Sequence, residues 1–174
     1  FMINYAQYTS DASLVLPIQT LGDEYFVTAH KDVNTFSDVS ELMIVAAYDN
    51  STFEITPSVN SISGQTAGVP FQITMNAGQT YQLQSDYDLS GTFIRSVNNG
   101  AGCKKFAVYG GNRCTGVDCP YCDHLVDQMY PNNTLGQNYV LPHLIPRGYT
   151  KFRVKATKNG TQFSVNGGPN QNLN

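Results

Sequence analysis

Apolar residues recur along much of this chain with a period of two, the spacing of strands with one face buried. Residues 24–29 are short and rich in aromatic and β-branched side chains. Residues 52–56 alternate, with Phe53 and Ile55 on one side. Residues 71–75 and 80–83 alternate around Asn76-Ala77-Gly78-Gln79, whose turn chemistry predicts a hairpin. Residues 92–97 and 105–109 are two further strands. Residues 151–157 alternate strictly, with Phe152, Val154 and Ala156 on one face and Lys151, Arg153 and Lys155 on the other. Residues 42–48 do not alternate. That continuous apolar run predicts a central strand buried on both faces. Gly, Asn, Ser and Pro punctuate the chain about every 8–12 residues, the spacing of sandwiches and barrels. Only residues 123–129 suit a helix, of two turns at most. The expected fold is all-β, an antiparallel β-sandwich-like module.

One segment recurs. Pro17-Ile18-Gln19-Thr20-Leu21-Gly22-Asp23-Glu24-Tyr25 is echoed by Pro131-Asn132-Asn133-Thr134-Leu135-Gly136-Gln137-Asn138-Tyr139, and residues 43–52 more weakly by residues 152–161. The offset, roughly 110 residues, is the size of one sandwich module. The expected division is a first β module over 1–128, with a disulfide-bearing loop near its end. Residues 129–174 are then the opening strands of a second, similar unit, or strands completing the first, because so few strands cannot bury their own face.

Composition narrows the class. With 174 residues the chain can hold a substantial core, and 11 Tyr and 9 Phe exclude a disordered chain despite only 13 % charged residues. A net charge of −3 gives no bulk electrostatic case for nucleic acid. No apolar run reaches the ~18 residues of a membrane-spanning helix. The chain opens on Phe1, as a mature product or a piece of a longer protein would. Its charge is lopsided: residues 1–56 hold eight acids and one base, and residues 129–174 hold five bases and no acid. Opposite ends of opposite sign suit head-to-tail self-association.

Candidate chemistry is sparse. Cys103, Cys114, Cys119 and Cys122 lie within twenty residues. Two disulfides of an exported domain explain them best. A zinc knuckle fits poorly, because Cys103 and Cys114 do not form a close hook. Cys119-Pro120-Tyr121-Cys122 has the letters of a thiol–disulfide oxidoreductase site, but that chemistry needs a helix N-terminus, which the pattern does not supply. His124 beside Cys122 reads as a structural hydrogen-bonder, as do His30 and His143. Asp86-Tyr87-Asp88 and Asp49-Asn50 read as Asx turns rather than metal ligands. No catalytic motif and no cofactor loop is present, so no catalytic residue, metal or cofactor is assigned. Sequons stand at Asn50, Asn132 and Asn159. Lys151, Arg153 and Lys155 form the candidate binding patch, suited to anionic glycans or an acidic protein surface, or else a guarded strand edge.

Several segments resemble one family. Asn76-Ala77-Gly78-Gln79-Thr80-Tyr81-Gln82-Leu83, Asp88-Leu89-Ser90-Gly91-Thr92, Phe106-Ala107-Val108-Tyr109-Gly110-Gly111 and Cys122-Asp123-His124-Leu125-Val126-Asp127-Gln128 are similar to successive motifs of the IgGFc-binding protein N-terminal domain family. Thr20-Leu21-Gly22-x-x-Tyr25 and Tyr48-Asp49-Asn50-Ser51-Thr52 fit as well. The Cys-Asp-His-Leu-Val-x-Gln segment is the most specific. The resemblance implies a non-enzymatic binding, adhesion or assembly module of a larger secreted or cell-surface protein. It implies a protein or glycan ligand outside the cell, and it does not carry antibody binding with it. The family's cysteines correspond to Cys114 and Cys122, which implies the pairs Cys114–Cys122 and Cys103–Cys119. Lys104-Lys105 departs from the family pattern, where a small residue or proline is expected. The alternatives are a glycan-binding module and an oxidoreductase using Cys119 and Cys122.

Overall fold

The structure, a computed structural model, describes residues 2–5, 9–32, 37–98, 100, 102–116, 121–142 and 152–173. They fall into two compact units, Phe1–Leu135 and Gly136–Asn174. The first carries a hairpin of β1 (Met2–Tyr5) and β2 (Thr9–Ala12), then a 3₁₀ turn (Ile18–Thr20) and β3 (Glu24–Phe26). There follow β4 (Ser40–Ala46), β5 (Ser51–Thr56), β6 (Phe71–Met75), β7 (Thr80–Ser85), β8 (Phe93–Val97), β9 (Phe106–Thr115), β10 (Asp123–Gln128) and a second 3₁₀ turn (Asn132–Thr134). In the second unit, β11 (Gln162–Phe163) pairs with β12 (Gln171–Asn172).

Two four-stranded antiparallel sheets, ordered β10-β9-β4-β7 and β3-β8-β5-β6, make the sandwich. The alternating apolar residues face inward. Tyr25, Phe53 and Phe106 form an aromatic cluster at its centre, with ring centroids 4.5–4.9 Å apart. Leu42, Ile44, Leu83 and Ile94 close around it, each essentially inaccessible to solvent.

The expected hairpin at residues 76–79 is a crossover instead. The turn is real: Gln79 N donates to Asn76 O at 3.0 Å, and Gly78 has φ +78°. However, β6 pairs with β5 and β7 with β4, so the chain changes sheet there. The turn is held by the end of β4, through Gly78 N to Ala46 O at 2.9 Å and Ala46 N to Gln79 O at 3.1 Å. The β4–β5 connection crosses at the same end, with Asn50 at φ +52°. Asn50 N donates to Asn76 Oδ1 and Ala77 N to Asp49 Oδ1, both at 3.0 Å, which lashes the two crossovers together. Lys104, at the departure from the family pattern, donates to Asp49 O at 2.6 Å and Asn50 O at 3.0 Å. Its charge offsets the carbonyls gathered at this corner.

Residues 123–128, expected as a short helix, form the edge strand β10. A helix there would leave the edge of β9 bare. The outer edge of β10 is covered by side chains. Thr9 Oγ1, Asp11 Oδ2 and Ser13 Oγ accept from the N–H groups of His124, Val126 and Gln128 at 2.8, 2.6 and 3.0 Å. Alternate residues of one segment thus replace a backbone ladder and protect an edge open to stray pairing. The Gly110-Gly111 pair of β9 has a packing reason. A Cβ on Gly110 would meet Thr28 O, and one on Gly111 would meet Leu125 O beside the β10 bulge. Residues 152–156, expected as a strand, are irregular, and Phe152 and Val154 are exposed. Strict alternation does not make a strand without a partner to receive its hydrogen bonds.

The ion pairs Arg95–Glu54, at 2.7 Å, and Arg113–Asp38 brace the surface. Burial pushes the Asp38 carboxyl up, but the Val39 N–H and the Arg113 guanidinium outweigh it and hold the group below its usual range. The Gln72 amide, together with Arg95, lowers Glu54. A depressed folded pKa stabilises above the unfolded value, about 4, and that stability is lost as pH falls through the folded value. The urea midpoint should therefore fall on acidification below about pH 4. The fall should be shallower in the Asp38→Asn, Glu54→Gln double variant.

Candidate functional site

The apolar run at residues 42–48 produces the clearest site, by departing from expectation. β4 is central in its sheet, between β9 and β7, yet it is buried on one face only. Ser40, Leu42, Ile44 and Ala46 point inward, while Glu41, Met43 and Val45 are half-buried on the outside. Register places Tyr109 of β9 and Gln82 of β7 on either side of Met43. Together with Gly110, Gly111 and His124, Leu125 and Val126 of β10, they line an open groove of about 240 Å³.

The groove is apolar along its floor and polar at two points. Glu41 is fixed at one rim by Gln82 and Gln84, whose amides donate to its Oε2 at 2.6 and 2.9 Å. His124 stands at the other, its Nδ1 buried and without a hydrogen-bond partner among the described residues. Gly111 has no side chain to fill the floor. The Tyr109 hydroxyl has its pKa raised by burial, so the ring presents a neutral, amphipathic surface. An apolar floor with a few placed polar groups is the make-up of a ligand-binding surface.

The other sheet shows the contrast. Its outer face carries the cross-strand row Glu24, Arg95, Glu54, Gln72. Gln72 Nε2 donates to Glu54 Oε2 at 3.1 Å, and the Thr52 and Thr74 hydroxyls meet at 3.1 Å. Along that row the face is polar, with the half-buried Phe26 and Phe93 paired beside it at 4.9 Å between ring centroids. An antiparallel sheet normally solvates its outer face, so the open apolar hollow over β4, β9 and β10 needs a reason.

Sequence reasoning missed the groove. Its signal was present in residues 42–48, which are apolar on both sides, but burial in a core and exposure to a ligand leave the same pattern. The expected site residues lie elsewhere. Cys114 and Cys122 are disulfide-bonded, Cα–Cα 5.2 Å, at the β9–β10 end. Cys103 is a free, exposed thiol, unlike the pair expected for it. Eight residues of strand, about 26 Å, separate Phe106 from Cys114, so Cys103 lies at the opposite end of β9 from the disulfide. Cys119 and Lys151 lie outside the described residues, as does His143. Cys122 leads into strand β10 and its sulfur is bonded to Cys114, so it is not the free second thiol of a redox pair.

Arg153 and Lys155 are exposed in the second unit, on irregular chain. Among the sequons, Asn50 and Asn159 are exposed, while Asn132 is half-buried at the start of its 3₁₀ turn. The main chain of His30 is held on both sides: its backbone N–H donates to Gly111 O, and its carbonyl accepts from Asn112 Nδ2. Asp88 Oδ1 accepts from Ser90 N at 2.9 Å, an Asx turn. No group of side chains among the described residues is arranged to hold a metal ion.

A family model described as IgGFc binding protein matches residues 11–174. The human (Homo sapiens) IgGFc-binding protein is 27 % identical over 169 residues, which is 95 % of this chain and 3 % of that protein. The chain therefore spans a small fraction of the relative's length. No solved structure matches it significantly.

Proposed function

The chain belongs to the IgGFc-binding protein family, and from that premise we propose that it is an extracellular, non-enzymatic binding module whose ligand, a protein, seats in the β4–β9–β10 groove. One observation carries the groove: on the outside of β4, β9 and β10 the half-buried Met43 and Val45 lie with Tyr109, Leu125 and Val126 along an open hollow bordered by Glu41, Gln82 and His124. The family and the Cys114–Cys122 disulfide support the extracellular location. The ligand class follows from the floor, where Met43, Val45 and Tyr109 offer the flexible, aromatic contacts typical of protein interfaces.

The relative's name makes immunoglobulin Fc the first probe. Fc fragment flowed over immobilised chain should bind saturably, and Met43→Lys should reduce affinity at least tenfold, because a charge enters the desolvated floor. Met43 is half-buried, so the fold should survive. Undiminished Fc binding by the folded variant would remove the groove from the proposal. No binding by the wild-type chain would exclude the antibody as ligand.

A further inference from the structure

The repeated motif Pro-x-x-Thr-Leu-Gly-x-x-Tyr folds the same way twice. In the first copy Thr20 N and Oγ1 both donate to Pro17 O at 2.9 Å, Leu21 N donates to Ile18 O at 3.2 Å, and Gly22 N donates to Tyr25 Oη at 2.8 Å. In the second, Thr134 N and Oγ1 donate to Pro131 O at 2.9 and 2.8 Å, Leu135 N to Asn132 O at 3.3 Å, and Gly136 N to Tyr139 Oη at 3.0 Å. Each copy is a proline-led turn followed by a glycine–tyrosine clasp.

The copies differ in what covers them. Pro131 is buried, and its ring occupies the place a Cβ on Gly22 would take. The second turn is thus seated on the first clasp. Below it Tyr25 is fully buried, with its hydroxyl donating to Phe106 O at 2.7 Å. Neither Gly22 nor Gly136 has a positive φ, so the backbone does not require glycine at either place. Gly22 is needed for the space that Pro131 fills. At Gly136 that space is open, with no described atom within 4 Å. Tyr139 is 65 % exposed, and its hydroxyl turns back to Gly136 O at 2.9 Å. The first turn meets Lys105, whose Nζ donates to Gln19 O at 2.8 Å, but its Pro17 and Ile18 are both exposed. Among the described residues there are one completed turn-on-clasp contact, one turn with its proline exposed and one open clasp.

We propose that the Gly136–Tyr139 clasp is a docking seat for the Pro17 turn of a second copy of this chain, so that copies join head to tail. The internal seating of Pro131 on Gly22 is the template, and the proposal stands apart from the groove. The contact is heterologous, turn on one copy and clasp on the next, and it propagates unless rotation closes it. The charges assist approach, since the turn lies in the acidic residues 1–56 and the clasp in the basic residues 129–174.

Sedimentation velocity on the whole chain tests this, with Cys103→Ser in every sample to exclude intermolecular disulfides. The Cys103→Ser chain should grow past dimer as concentration rises. Adding Pro17→Asp or Gly136→Val should leave monomers with unchanged circular dichroism, since one position is exposed and the other open. An equimolar mixture of these two variants restores one good turn and one good clasp, and should stop at dimer. A Cys103→Ser chain that stays monomeric at all concentrations would overturn the proposal. So would association unchanged in either variant, or a mixture that stays monomeric.

Discussion

Replacing Phe106 with alanine should destabilise the sandwich by about 3–5 kcal/mol, the range for a fully buried phenylalanine. Its side chain is inaccessible to solvent and touches both sheets, meeting Tyr25 at 4.9 Å and Phe53 at 4.5 Å between centroids. The surrounding strands are pinned by register and cannot collapse into the vacated space. The backbone at this residue adds to the effect. Phe106 N donates to Gly22 O, and Phe106 O accepts the Tyr25 hydroxyl. A cavity here loosens the point where β3, β9 and the first clasp meet. Urea denaturation at neutral pH would show the loss as a lower midpoint with the slope unchanged. A loss under about 1 kcal/mol would place the centre of the core elsewhere.

Asn112→Leu should cost about 3 kcal/mol or more, although leucine is close in size and apolar, because it orphans several buried polar groups. Asn112 is fully buried. Its Nδ2 donates to His30 O and Asp38 O, both at 2.9 Å, and to Ser37 Oγ at 3.2 Å. Its Oδ1 accepts from Cys114 N at 2.9 Å. One amide thereby ties two points of the segment leading into β4 to the strand that carries Cys114 of the disulfide. The neighbouring Arg113 provides the comparison. Its ion pair with Asp38 is exposed on the Arg side, so Arg113→Ala should cost about 0–1 kcal/mol. Thermal melts of the two variants side by side decide the matter. Equal shifts would mean that water replaces the Asn112 contacts.

The all-β class was legible because period-two alternation is a local property, and the inward residues Phe53, Ile55, Leu83 and Ile94 are apolar wherever the strands go. The motif resemblance was legible for a similar reason. Asn50, Gly78 and the Gly110-Gly111 pair meet backbone and packing demands that few other residues satisfy. The repeat, too, stood in the letters, since its turn and clasp close on hydrogen bonds within nine residues.

Partnership was not legible. The turn at residues 76–79 has hairpin chemistry, but which strands pair is fixed by long-range registers that no local signal encodes. Residues 123–128 became a strand because β9 offered an edge, and residues 152–156 did not become one, despite perfect alternation. For residues 42–48, an open apolar outer face and a face buried in a core show the same apolar side chains. Only the packing of β4, which leaves Met43 and Val45 half-buried beside an open groove, separated the two. The sequence by itself determined strand content, the turn motifs and their recurrence. The tertiary structure decided pairing and exposure, which depend on what each segment meets across the sandwich, at distances a local pattern does not reach.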